Sequence, residues 1–364
     1  MPPRPKRFEP PHCPNPTCDS HAKSGTWRFK RKGFFARQRG PRRVQRYLCQ
    51  HCGRSFSSQT FSTTYWLRRP DLQRPVFWRL LGCSALRQIA REFGVAHSTI
   101  QRHAERLGRH CLLLHETLRP AVPKEALVLD GFRSFESGQY WPFDLNLLVG
   151  ASHYVYGFND AELRRSGTHT PTQARKRARL EKRHGRPDPR ATEKAARELV
   201  ARIVPEGASI ELLSDDHPSY PRALRRLPRR NVVHRTVSSM QMRTPANPLF
   251  PVNLADLLLR HGGANHKRET IAFSKRRQGA LYRAAIWCVW RNYLKSTSER
   301  RRDDPPGVAI GAIARRWSIG EVLAERRFPW REPRLRGWLA RCYAGRVPTR
   351  CLPALREHSR KLAA

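Results

Sequence analysis

Acidic residues are scarce in this chain. Asp and Glu number 29 against 71 Lys and Arg in 364 residues, so the formal net charge is +42. The excess runs through the whole length rather than sitting in one tail. A molecule so evenly basic repels itself and attracts polyanions, and nucleic acid is the obvious one, because each neutralised phosphate releases counterions. Long apolar runs are missing too. The start, MPPRPKRFEP, has no hydrophobic stretch of the kind a secretory leader carries. The longest apolar stretch, Leu281 to Trp290, is interrupted by Arg283 and too short to cross a bilayer. Membrane partners are therefore not expected, and the expected location is the cytoplasm, at the nucleoid. There is no internal repeat, which argues against a solenoid. An abundant short charge-neutralising protein is also excluded, since apolar patterning recurs along most of the chain.

Thiols in that compartment stay reduced, so nine cysteines point to metal binding where they cluster and to burial where they do not. Cys83, Cys111, Cys288, Cys342 and Cys351 are scattered and read as core residues. Cys13 and Cys18 form a C-x4-C pair (CPNPTC), and Cys49 and Cys52 form a C-x2-C pair (CQHC) followed by Gly53. Each pair fits a tight turn that aims two thiolates at one centre, and two pairs supply the four sulfurs of a tetrahedral structural Zn²⁺. The intervening segment, with Trp27, Phe29, Phe34 and Phe35, alternates as strands do. His12, His21 and His51 lie close enough to substitute as ligands, but the four cysteines already complete the set. With no position open for water, the metal is structural.

Residues 84–107, SALRQIAREFGVAHSTIQRHAERL, pattern as two helices around a turn. Leu86, Ile89, Ala90 and Phe93 share one face, Gly94 breaks the helix, and Val95 plugs the turn. His97 or Ser98 caps a second helix with Ile100, Ala104 and Leu107 inward. This is a helix-turn-helix layout. Its second helix offers Ser98, Thr99, Gln101, Arg102 and Arg106 outward, with Gln101 and Arg102 best suited to base edges.

Further on, apolar runs end in carboxylates. Leu127, Val128 and Leu129 lead to Asp130 and Gly131; after strand candidates at 143–151 and 154–158, ASIELLSDDHPSY delivers Asp215 and Asp216. A third carboxylate is expected from the helical region 253–295, where the acidic residues are Asp256 and Glu269. Glu269 is preferred, with Arg276 two turns along the same face to meet a phosphate. Three such oxygen-donor groups can hold two Mg²⁺ or Mn²⁺ ions.

The order C-x4-C, C-x2-C, GRSFS, helix-turn-helix, LDGF, SDDHPSY, NPLFPVN, RETIAFSKR resembles bacterial insertion-sequence transposases of the DDE type. The resemblance covers about 1–295, and the block RETIAFSKR…WRNYLK carries it most specifically. It implies an α/β multi-domain protein: a zinc ribbon at 1–66, a helix-turn-helix domain at 67–119, and a ribonuclease-H-like catalytic domain at 120–295. That domain would hold an Arg-rich helical insert at 163–206, and 296–364 would be a linker and basic extension. The resemblance places the family's first Asp on Asp130, its second on Asp215, its Glu on Glu269 and the following basic residue on Arg276. It implies metal-dependent cleavage to a 3′ hydroxyl, then attack of that hydroxyl on target DNA. The partners implied are transposon ends, target duplex and further copies of the chain assembled on DNA. A DNA-binding regulator or domesticated protein without turnover is the alternative, and a structure-specific or RNA nuclease a third.

Overall fold

The computed structural model describes residues 8–22, 27–38, 42–267, 269–324, 326–354 and 358. Near the amino terminus, the alternating aromatics form a three-stranded antiparallel sheet: β1 (Phe29–Ala36), β2 (Arg43–Cys49) and β3 (Ser55–Ser57). Its small core gathers Tyr47, Phe56 and Phe61 beside three of the clustered cysteines, with Trp27 and Phe29 packed against it. A sheet this small buries little by itself. Part of its cover comes from far away, because Phe328 also belongs to this cluster.

Three helices follow, α1 (Gln73–Leu81), α2 (Leu86–Glu92) and α3 (His97–Leu118). The break between α2 and α3 falls where the sequence puts it. Gly94 takes a φ of +57°, a left-handed conformation that costs glycine nothing. Ile89, Ala90, Ile100, Ala104 and Leu107 are buried, as their spacing requires. The second helix is longer than a recognition helix needs. It runs on through an almost wholly buried stretch, Cys111 to Glu116, into the main core. There it crosses α8 (Arg277–Val289) so closely that a Cβ on Gly108 would lie 2.3 Å from Cβ of Tyr282.

The central layer is a mixed five-stranded sheet in the order β6-β5-β4-β7-β8. Its strands are β4 (Leu127–Phe135), β5 (Pro142–Gly150), β6 (Val155–Glu162), β7 (Ser209–Asp215) and β8 (Asn231–Val237). The first three form an antiparallel meander, and β7 and β8 then join parallel to β4. Every residue of β5 is buried, as a strand covered on both faces demands.

Two expected elements differ from the structure. The stretch 163–206 is not wholly an insert. Its first helix, α4 (Pro171–His184), buries nothing. The second, α5 (Ala191–Ile203), buries Ala196, Leu199, Val200 and Ile203 in the main core and packs on β5 and β6. A parallel β4–β7 pair needs a long crossover, and α5 supplies it. After the short helix α6 (Ser219–Arg225), the region 253–295 is two helices and not one. α7 (Phe250–Gly262) ends at the pair Gly262-Gly263, an irregular segment follows, and α8 begins only at Arg277. A single π-helical turn, Trp290–Leu294, extends α8. In it Asn292 meets both backbone groups of Val155, at 2.9 Å each, and Tyr293 bonds Tyr154 and His115. The WRNYLK block thus locks α8 to the sheet and to α3.

The tail is no appendage. Ile313, Ile319, Val322, Leu335, Leu339 and Tyr343 join the main core, three of the last four lying on or beside α9 (Gly337–Tyr343). Among the scattered cysteines, Cys111, Cys288 and Cys342 are buried as expected, while Cys83 and Cys351 are half-buried. The chain is thus an α/β protein with an N-terminal four-cysteine cluster and a mixed five-stranded sheet. Among the described residues, no helix is long and apolar enough to cross a membrane.

Candidate functional sites: a four-cysteine centre and a carboxylate cluster

The sulfur atoms of Cys13, Cys18, Cys49 and Cys52 all lie within 4.8 Å of one another. Cys13 and Cys52 are 3.7 Å apart, and Cys18 and Cys49 are 3.9 Å apart. A tetrahedral ion with Zn–S bonds of about 2.3 Å asks for sulfur–sulfur edges of about 3.8 Å. The turn after Cys49 is tightened by Gly53, at a φ of +69°, whose N–H donates to the Cys49 carbonyl at 3.0 Å. Burial pushes the Cys13 and Cys18 thiols up from their ordinary range. Four crowded sulfurs, three on buried cysteines and the fourth on exposed Cys52, are thus set around one centre, and the cluster can hold a metal such as zinc. None of the neighbouring histidines belongs to it. His21 contacts the Cys13 carbonyl at 2.7 Å, His12 packs edge-on against Phe61 and Phe328, and His51 pairs with Asp19 at 3.3 Å.

The second site lies where the parallel pairing of β4 and β7 stops. β7 ends at Asp215 as expected, but β4 runs on beside β5 to Phe135, so Asp130 lies inside its strand and not at its end. Leu127, Val128 and Leu129 of β4 stand level with Leu212, Leu213 and Ser214 of β7. The next position along each strand is Asp130 and Asp215. Neighbouring strands lie about 4.8 Å apart. Two carboxylates at one level therefore repel. Asp130 is pushed up to about 6, first by burial and then by the charge of Asp215. Its Oδ1 accepts the Gly131 N–H at 2.7 Å, and Asp215 Oδ1 accepts that of His217 at 3.1 Å. Both carboxylates are held in place by backbone donors. Asp216 faces elsewhere: it accepts from the N–H and hydroxyl of Ser239, both at 3.3 Å, and these bonds lower its pKa.

A third carboxylate, Asp256, lies near Asp130 on α7, which packs on β4 and β5. Asp256 is raised well above the usual range, by burial and then by the charge of Asp130. Its Oδ1 is buried with no hydrogen-bond partner. Asp144 of β5 stands at the edge of the group, beside Gly131, and is tied to Arg133 at 2.9 Å. The cations that act on Asp130 and Asp256 are Arg243 and Arg260.

Glu269 and Arg276 sit differently from expectation. Glu269 is exposed on a bend, not on a helix, because Gly262-Gly263 ends α7 and α8 starts later. Arg276 is the residue before α8, and its guanidinium donates to the Pro353 carbonyl at 2.8 Å. The spacing of two turns along one helix face therefore does not exist. Asp256 could have been found from its place inside an amphipathic segment directly after the last strand, but it does not close an apolar run as Asp130 and Asp215 do.

On α3, Ser98 and Arg102 are exposed and Thr99 is half-buried, at the start of the helix as expected. Gln101 is engaged by Glu105 at 2.9 Å. Arg106 points inward instead of out. Its Nε donates to the Thr63 carbonyl at 2.8 Å, and burial lowers its pKa to about 10. Position 106 falls one turn beyond 102, where the helix is already passing under the loop at 60–66.

Compared with known proteins, the chain matches no family model, and no curated protein matches it.

Proposed function

We propose that the protein is a DNA transposase: a zinc-stapled, duplex-binding amino-terminal part joined to a ribonuclease-H-like core that cuts and rejoins DNA with divalent metal ions. The observation that carries this reading is the placement of Asp130, Asp215 and Asp256. The first two lie level on neighbouring parallel strands, and Asp256, on the helix after the last strand, is near enough to Asp130 to feel its charge. The donor set fits Mg²⁺ or Mn²⁺. It is made of hard oxygens that repel one another, and one of them, Oδ1 of Asp256, is buried without any hydrogen bond. When bound, two such ions activate the attacking oxygen and stabilise the leaving one. The chain's own residues do the rest. Asp130 and Asp215 are oriented by backbone N–H groups, and Arg243, exposed beside them, can meet a phosphate oxygen. Asp256 takes the part first expected of Glu269.

The start of α3 is proposed to read duplex ends through Ser98, Thr99, Gln101 and Arg102, with copies of the chain assembling on the DNA and the even basic charge holding phosphates. The competing reading is a regulator that binds DNA without cutting it.

The test uses the full, zinc-loaded chain and a duplex carrying the terminal repeats that flank its gene. Mg²⁺-dependent nicking and strand transfer are expected from the wild type. Asp130→Asn should bind the duplex and not cut it. Binding without any cutting by the wild type would favour the regulator, and undiminished cutting by the Asp130, Asp215 and Asp256 variants would remove the catalytic assignment.

A further inference from the structure

A cleft on the small amino-terminal sheet has no part in the reading above. It opens between the outer face of β1–β3 and the loop at 58–67, and encloses about 320 Å³. That is the lower end of the size of small-molecule sites. Its walls combine the aromatic rings of Phe35, Tyr65 and Trp66 with the guanidinium groups of Arg37 and Arg46, and no carboxylate lines it. Trp66 is 76% exposed. A large ring left in water on a folded surface is unusual, and its backbone makes it more so. Trp66 holds a φ of +61°, which a bulky residue rarely adopts.

The surroundings enforce that conformation. The Tyr65 N–H donates to Ser62 and that of Leu67 to Thr64, both at 3.0 Å. Arg37 spans the cleft wall, donating to Gln59 Oε1 at 2.6 Å and to the Leu67 carbonyl at 3.3 Å. The Arg326 guanidinium stacks over Tyr65 at 5.0 Å. The strained loop is therefore fastened on both sides of Trp66, with its ring held up rather than folded down.

We propose that this cleft binds one unstacked DNA base together with its adjoining phosphate. Aromatic faces take the base whatever its identity, and the guanidinium groups take the phosphate. This is the chemistry of single-strand platforms. The placement favours DNA beside a duplex over any free strand. Thr63, in the same loop, is held by Arg106 of α3 at 2.8 Å and by Gln73 of α1 at 3.1 Å. The cleft is thereby fixed in relation to the helix proposed to read the duplex. A base that frays or flips at the junction is captured at a set distance from the start of α3. The inference rests on the chain acting on DNA ends, though not on its cutting them.

The experiment compares two duplexes of equal phosphate number by fluorescence anisotropy. One is blunt, and the other ends in a short single-stranded DNA tail carrying 2-aminopurine. The wild type is expected to bind the tailed duplex about tenfold more tightly and to quench the 2-aminopurine. Trp66→Ala should abolish both the preference and the quenching while keeping blunt-duplex affinity and zinc content. Trp66→Phe should keep most of both. Equal affinity of the wild type for both duplexes overturns the proposal. So does an equal loss on both from Trp66→Ala, or tighter binding of an RNA tail than a DNA one. The metal-dependent cleavage assay separates the two readings. Tail preference without cutting keeps this site and removes the transposase, and cutting without tail preference does the reverse.

Discussion

Asp130 occupies a position where burial and the charge of Asp215 make its negative charge costly. Its folded-state pKa, about 6, lies above the ordinary 3.8. Between those values the folded chain binds more protons than the unfolded one, so without divalent metal its stability falls as pH rises from about 4 through about 6. Asp130→Asn removes that penalty. At pH 7.5 and without Mg²⁺ the variant should be more stable than the wild type by about 1–3 kcal/mol, with no such gain at pH 4. Thermal unfolding at the two pH values checks it, and equal shifts at both would show that the gain is not electrostatic. A second expectation separates Asp256 from Glu269. Asp256→Asn should reduce Mg²⁺-dependent cleavage at least a hundredfold, as expected for lost stabilisation of about 3 kcal/mol or more, while Glu269→Gln leaves it within a few fold. The opposite pattern in single-turnover rates would restore Glu269. The pair Asp130 and Asp215 was legible because an apolar run that stops at Asp is an unusual local event. The helical partner was not, because one Asp in a helix looks like any solvated charge, and only the packing of α7 on β4 and β5 brings it near Asp130.

At the scale of elements, the two paired cysteine motifs are self-describing, since each pair is a local turn and the metal closes the distance between them. Cys49→Ser should leave the purified protein without its equivalent of zinc, as read by metal analysis. Unchanged content would dismiss the site. On α3, Arg102→Ala should weaken binding to specific ends by about 1–3 kcal/mol and affect random duplex less. Arg106→Ala is expected to act otherwise. It cuts the tie to Thr63, so it should lower thermal stability and loosen the 58–67 loop towards proteases. Equal DNA-binding losses from both variants, with unchanged stability, would put Arg106 back on the DNA face. The helical period identified the inward residues of α2 and α3. It could not show where α3 ends, because a recognition helix and a core helix share that period. Nor could it show that Gly262-Gly263 divides the later helical region, because the segment beyond remains rich in helix-compatible residues.

Across the whole molecule, the part hardest to read was the tail. Its apolar residues come in single turns without period, yet they fill the main core and clasp the amino-terminal sheet. Arg326 donates its N–H to the Phe61 carbonyl at 2.9 Å, Thr63 donates to Leu323 at 2.8 Å, His110 meets the Val322 carbonyl at 2.7 Å, and Arg331 reaches the His21 carbonyl. The tail is also tied to the central sheet, where Arg350 holds Glu162 of β6 at 2.6 Å. A chain stopped after residue 295 lacks all of this. It should be recovered insoluble or as an expanded state, and a cooperative melting transition from the truncated chain would show that the tail is dispensable.

The Phe328 contact has a consequence for biosynthesis. A ribosome makes the cysteine-bearing module long before the Phe328 that covers it. At about 5–20 residues per second, roughly 13–53 s separate the emergence of Phe61 from that of Phe328. Through that interval the nascent module has its zinc ligands but not its cover, and the strained loop at Trp66 lacks the Arg326 brace. A chain released before Phe328 is made therefore carries the cysteine module without Phe328 packed against it or Arg326 over Tyr65.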